Sequence, residues 1–213
     1  MFLEFTTQLS KALSKSLPGN EAQIKMAPYR DLVEEKYKNI NKEPKKAAVL
    51  ILIYPKNNQA HLVLMKRSNY EGHHSAQISF PGGKKEERDE SFIHTALREA
   101  NEEVGVVKES VKIIGELSDL YIPPSNFKVY PFVGITEIAP QFIVDKKEVE
   151  SIIELSIDDL MRNDILKSKT MNLAAGFTFN TPYFDIQNHV VWGATAMMLF
   201  ELREIIGTFR QQP

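Results

Sequence analysis

Three glutamates, Glu99, Glu102 and Glu103, stand close together in SFIHTALREANEEVG, residues 91–105. In a helix, at about 100° per residue, they fall on one side at i, i+3 and i+4. Ile93, Ala96, Leu97, Ala100 and Val104 fall on the other. Most acidic faces of this kind are simply solvated. Here two effects act against the cluster. Like charges at this spacing repel unless a cation offsets them. They also lie toward the C-terminal end of the helix, where the backbone dipole disfavours anions. A bound divalent cation would relieve both, and oxygen-only ligands favour Mg²⁺ or Mn²⁺. Upstream, FPGGKK supplies a glycine turn, with Gly82 and Gly83, whose backbone can approach a phosphate or a metal closely.

These residues need a frame to hold them. AAVLILIY, residues 47–54, has the length and aliphatic content of a buried strand. PKNNQ turns the chain, and HLVLMKR, residues 61–67, returns it as a hairpin partner. QISF (77–80) is a further extended piece. The helix runs over Ser91–Val104 and Gly105 stops it. Residues 111–120, 128–138 and 149–157 read as strands, with the proline-rich loop YIPPSNF between the first two. A short helix at 157–161, an extended piece at 177–184 and a long helix at 193–206 complete the order. That order predicts an α/β sandwich with a mixed sheet. Before it, residues 2–16 carry Phe2, Phe5, Leu9 and Leu13 at helical spacing, LPGN at 17–20 ends that helix, and a second short helix fits 29–38. Residues 1–45 therefore read as a helical extension and residues 46–213 as the main domain. The extension could pack over the sheet, form a dimer contact or cover the site.

Composition narrows the classes. The chain has 213 residues, 43% hydrophobic, with 26 basic and 28 acidic side chains and a net charge of −2. Near-neutrality argues against nucleic acid as the main partner. The absence of cysteine excludes disulfides, thiolate catalysis and cysteine–zinc sites, and fits a cytoplasmic setting. The opening MFLEFTTQLSKALSKS lacks the pattern of a signal peptide. The longest apolar run, Ala47 to Tyr54, is far shorter than the ~20 residues that span a bilayer, so no membrane partner is expected.

Arg98-Glu99-Ala100-Asn101-Glu102-Glu103-Val104-Gly105-Val106 resembles the second half of the Nudix box, matching it at every specified position. The first half departs: Lys84 stands where glycine is expected and Gly83 lies one residue earlier, so the loop is one residue longer. Its acid is then Asp89 or Glu90. The preceding MKRSNYEGHHSAQISFPGGK resembles the extra signature of the coenzyme A pyrophosphatase subgroup. Arg67-Ser68 and Phe80-Pro81-Gly82-Gly83 fit it, whereas Gly72 replaces an arginine and Ala76 a glycine. VWGATAMMLFEL, residues 191–202, is similar to the terminal helix of that subgroup.

The resemblance implies a Nudix fold, with a mixed sheet between helices. It implies metal-dependent hydrolysis of coenzyme A or a derivative to 3′,5′-ADP and phosphopantetheine, or its acylated form. ADP-ribose or a dinucleoside polyphosphate is the alternative substrate, and a non-catalytic ligand sensor the alternative class. Glu99 and Glu103 are the expected metal ligands, with Glu102 a third ligand or the base for the water; Glu99 and Glu102 are the expected catalytic pair. Arg67, Gly82 and Gly83 are expected to bind substrate. Arg98 is expected to orient a glutamate. Glu148 and Glu150 are candidate distal ligands or bases, and His73 and His74 are candidate contacts to phosphate or adenine. Ser79 and Phe80 are expected to shape the approach to the metal, and residues 121–127 to cover the pantetheine arm. Trp192, Met197 and Met198 read as core. A homodimer is compatible with all of this.

Overall fold

The computed structural model describes residues 2–39, 42–68, 77–172, 176 and 178–210. In chain order the helices and strands are α1 (Phe2–Leu13), α2 (Gly19–Gln23), α3 (Arg30–Tyr37), β1 (Lys45–Lys56), β2 (Gln59–Arg67), β3 (Ile78–Ser79), β4 (Gly82–Lys84), α4 (Phe92–Val104), β5 (Lys112–Glu116), β6 (Leu120–Ile122), β7 (Phe127–Ile135), β8 (Val149–Ser156), α5 (Ile157–Met161), β9 (Leu166–Asn172), β10 (Thr178–Ile186), β11 (His189–Val191) and α6 (Gly193–Gly207).

β1 is the axis of the main sheet. It pairs with β7 in parallel and with β2 and β4 antiparallel, so the sheet is mixed. Both faces of β1 are covered, which is why its sequence is a continuous aliphatic run rather than an alternation. Ala48, Leu50, Leu52 and Tyr54 face a core shared with Ala96, Ala100 and Val104 of α4. Ile51 and Ile53 face the other core, with Leu199, Leu202 and Ile206 of α6. The sheet therefore lies between helices, as expected. The β1–β2 hairpin turns at Asn57 and Asn58, both with positive φ (50° and 60°), the backbone that a tight two-residue hairpin requires.

Residues 2–37 share that second core. Phe5, Leu9 and Leu13 of α1, Met26, and Val33 of α3 are all buried in it. The first helix ends at Leu13, earlier than the expected 16, and LPGN does not merely stop it: Gly19 opens α2. The reason is distant in sequence. The fully buried Glu201 of α6 accepts hydrogen bonds from the Gly19 and Ser118 N–H groups (3.2 and 3.1 Å) and from Gln23 Nε2 (2.9 Å).

Four further expectations are revised. Gly82–Lys84 is not a turn but strand β4, with Ala48 opposite Gly83. The single strand expected over 111–120 is two, β5 and β6, separated after an irregularity between Ile113 and Gly115. Tyr121 and Ile122, expected in a loop, belong to β6, and only Pro123–Ser125 form a turn, closed by Asn126 at φ 52°. Strands β9 and β11 were unforeseen: β9 (LKSKTMN) is mostly exposed and polar, and β11 has three residues, so neither carries an apolar pattern. With β10 they form a separate three-stranded sheet.

Candidate active site

The position of α4 follows from its ends. Ser91 caps the first turn, its hydroxyl accepting from the His94 N–H at 3.0 Å, and Gly105 ends the helix at φ 72°, where a left-handed residue favours glycine. Between these ends the helix presses its flank against β4. The glycines allow that approach. A Cβ on Gly83 would lie 2.5 Å from Glu99 Cδ, and one on Gly82 (φ 154°) would lie 2.4 Å from the Ala48 carbonyl oxygen.

The carboxylates do not share one solvated face. Glu103 belongs to the buried side of α4 at 1% exposure, whereas Ile93, expected on the apolar side, is exposed. Glu103 Oε2 accepts from the Gly82 N–H at 2.8 Å. Its Oε1 lies 3.1 Å from Arg67 Nη1 but is not aligned for a hydrogen bond, and it has no such partner among the described residues. Glu99 lies one turn away against Gly83, 2.9 Å from Arg98 Nη2. Glu102 is turned aside, half-exposed, with Arg98 Nη1 at 2.9 Å and Arg88 Nη2 at 3.3 Å. The expected convergence of three glutamates is thus a convergence of two. Arginine draws off the third.

Arg98 is the hub. Its Nε and Nη2 donate to Asp89 Oδ1 and Oδ2 at 2.9 and 3.0 Å, a bidentate pair. Asp89 is buried and also accepts from Thr95 Oγ1 (3.0 Å) and from the Glu86 N–H (2.9 Å). Arg98 holds its carboxyl well below the usual carboxylate range, against the opposing effect of burial. Of the two acids left open by the lengthened loop, Asp89 anchors Arg98 and Glu90 is exposed.

Burial acts the other way on the glutamates. It pushes the Glu103 carboxyl up to about 8, despite the opposing pull of Arg67 and the Gly82 N–H; Glu99 and Glu148 add to the rise. Burial likewise raises Glu99, with Arg98 opposing and Glu102 and Glu148 adding. Glu148 thus faces the pair electrostatically. Glu150 is instead tied to Lys66 Nζ at 2.6 Å. One buried and one partly buried carboxylate, both with disfavoured charge, and one unpartnered oxygen fit a divalent cation. Among the described residues no three His, Asp or Glu side chains are gathered as a ready-made metal cage. Beside Glu99 and Glu103, a cation would complete its ligands from water, substrate phosphate, or Glu102 or Glu148.

On the other side of β4 lies a cavity of about 470 Å³, within the range of small-molecule sites. Arg67, Gly82 and Gly83 line it, as do Ser79, Phe80 and residues 120–125. Trp192, Met197 and Met198, expected only as core, also form its wall, and both methionines are buried. His73 and His74 lie outside the described residues. Residues 27–33 form a further part of the wall. They lie in the N-terminal extension, for which the sequence leaves packing over the sheet, a dimer contact and covering the site open, because nothing local links those positions to β4.

Comparison with known proteins agrees with this architecture. The profile of the NUDIX domain matches residues 44–173. A relative described as the uncharacterized Nudix hydrolase NudL of Enterobacter sp. is 33% identical over 168 residues, covering 76% of this chain and 83% of the relative. Its counterpart in Yersinia enterocolitica is 32% identical over 159 residues, covering 74% and 80%. Among solved structures, the Nudix hydrolase RenU of M. smegmatis superposes with a TM-score of 0.50 at 14% identity, over 78% of this chain and 88% of that one. That likeness is one of fold. No helix among the described residues is long and apolar enough to cross a membrane.

Proposed function

This chain belongs to the Nudix family of hydrolases, and we propose that within it the protein cleaves the diphosphate of coenzyme A or an acyl derivative, giving 3′,5′-ADP and phosphopantetheine or its acylated form. The family acts on nucleoside diphosphate derivatives and generally uses divalent metal ions. The observation that carries the reading is Glu103: a buried carboxylate held by the Gly82 N–H, with its second oxygen unpartnered beside Arg67, on the wall between helix and cavity.

Glu99 and Glu103 would hold Mg²⁺ or Mn²⁺, with Glu102 or Glu148 completing the ligands. When bound, the ion offsets diphosphate charge and acidifies water. Everything else is done by the chain. Arg98, locked by Asp89, fixes the orientation of Glu99 and restrains Glu102. Glu102 serves as a third ligand or, once free of Arg88 and Arg98, as the base that takes the proton from the attacking water. Arg67, which lines the cavity beside Glu103, is placed to meet a phosphate oxygen with the exposed part of its guanidinium. Gly82 and Gly83 border the cavity where the substrate would bind; Gly82 donates its N–H to Glu103, and Gly83 leaves room for Glu99. Both the pre-box motif around Arg67 and Phe80–Gly83 and the largely apolar cavity support coenzyme A over a second nucleotide.

A substrate panel tests this. Coenzyme A, ADP-ribose and a dinucleoside polyphosphate are incubated with Mg²⁺ or Mn²⁺ and the products are identified by mass. The expected outcome is 3′,5′-ADP and phosphopantetheine from coenzyme A at the highest kcat/KM. Cleavage of ADP-ribose or the dinucleotide alone would keep the metal site and reject the substrate. No cleavage of any would turn attention to a ligand-sensing role.

A further inference from the structure

We infer that the N-terminal helical segment is a specificity element: with the turn at Pro123–Ser125 it closes the cavity behind β4 around an uncharged, largely apolar arm of the substrate and excludes a second nucleotide. The inference rests on the diphosphate site proposed above and gives its neighbouring cavity an occupant.

The cavity lies on the sheet face opposite α4. Ala47 and Val49 of β1 line it, while Ala48 and Leu50 point to the α4 core. It meets the carboxylate site only at β4 and Arg67. Away from that junction three parts of the chain add to the wall beside the sheet: Val33 of α3, Leu120 and Ile122 of β6, and Met197 and Met198 of α6.

The N-terminal part of this wall is fixed rather than loosely apposed. Tyr29 stacks on Phe179 with ring centroids 5.2 Å apart and 20° between planes. Arg30 donates through Nη2 to the Tyr121 carbonyl (3.2 Å) and through Nε to Glu34 (2.7 Å), and its Nη1 lies 4.0 Å from Met197 Sδ. The guanidinium thus ties all three walls together and its charge is already paired. The N-terminal wall therefore adds no unpaired cation, and the cations that border the cavity, Arg67 and Lys84, stand at its β4 end, beside the proposed diphosphate site.

Away from β4 the side chains that face the cavity are largely apolar: Val33, Leu120, Ile122, Met197 and Met198. Such walls suit a chain whose polar groups are few and widely spaced. A second nucleoside would bring many more donors and acceptors than these walls can meet.

Binding and turnover test this separately. Val33→Trp fills the cavity from α3, and Ala194→Phe fills it from the first turn of α6. Ala194 is half-buried, so the second variant spares the core if the first fails to fold. Calorimetry with pantetheine, an uncharged diamide, reads the cavity without catalysis. We expect wild type to bind it and both variants to bind at least tenfold more weakly. The kcat/KM ratio of coenzyme A to ADP-ribose should fall at least tenfold in both, mainly through KM. Variants that bind pantetheine and discriminate as wild type does would overturn the inference while leaving the proposed function standing. If wild type cleaves ADP-ribose but not coenzyme A, the proposed substrate fails and pantetheine binding decides the cavity alone. Binding lost in both variants supports the assignment, and no binding to wild type rejects it.

Discussion

Glu103 is a carboxylate whose burial works against its charge, and this has opposite consequences for stability and activity. Its folded pKa is raised to about 8 from the ordinary 4.5. A raised carboxyl stabilises the fold while protonated, so without metal that contribution is complete below about pH 4.5 and is lost as pH climbs through about 8. Glu103→Gln keeps an acceptor for the Gly82 N–H and removes the charge. In a chelator its melting temperature should equal or exceed that of wild type, with the margin widening from pH 5 to pH 9. Its metal-dependent turnover should fall by about two to three orders of magnitude, as expected when a few kcal/mol of charge stabilisation is removed. A variant that melts lower at every pH would show that the carboxylate stabilises the fold. Asp89 has the opposite sign. Its pKa is depressed, so its contribution is present above about pH 4 and is lost as pH falls toward the folded value. Asp89→Asn leaves Arg98 buried and partly unpaired, which costs about 3–5 kcal/mol at neutral pH. Acid unfolding monitored by circular dichroism should be shallower in this variant than in wild type. The glutamate spacing alone revealed the cluster, but not that Arg98 and Asp89 divide it; that depends on a pair nine residues apart, buried by surroundings a local pattern cannot see.

At the scale of elements, the site is a contact between one helix and one short strand. The helix was legible from its period and its caps, Ser91 and Gly105. The strand was not. Gly82–Lys84 has turn composition and becomes extended only because β1 offers an open backbone edge to pair with. The two glycines make separable predictions. Gly83→Ala places a methyl against Glu99. It should lower turnover at least about tenfold with little loss of stability, because the flexible carboxylate can move aside. Gly82→Ala meets the β1 backbone instead, at a φ that disfavours any side chain. It should destabilise the fold by about 1–3 kcal/mol in urea titration. Equal effects on stability from the two substitutions would contradict the assigned contacts.

Across the whole molecule, the sheet is a partition: α4 and the carboxylates lie on one face, and α1, α6 and the cavity on the other. The aliphatic run of β1 announced a strand buried on both faces. The amphipathic spacing of residues 2–13 announced a helix, but not which surface it covers, since that depends on contacts such as Glu201 with Gly19. Leu9 is fully buried in that core. Leu9→Ala should therefore cost about 2–5 kcal/mol in equilibrium unfolding; a loss below about 0.5 kcal/mol would mean that the first helix is not part of the fold's core. The account as a whole depends on a cation held against β4 by Glu99 and Glu103. The most direct measurement is Mn²⁺ binding by calorimetry to wild type and to the Glu99→Gln, Glu103→Gln and Glu150→Gln variants. The account predicts that binding is lost or weakened at least tenfold in the first two and unchanged in the third, where Glu150 is paired with Lys66. Wild-type affinity in both Glu99→Gln and Glu103→Gln would contradict it.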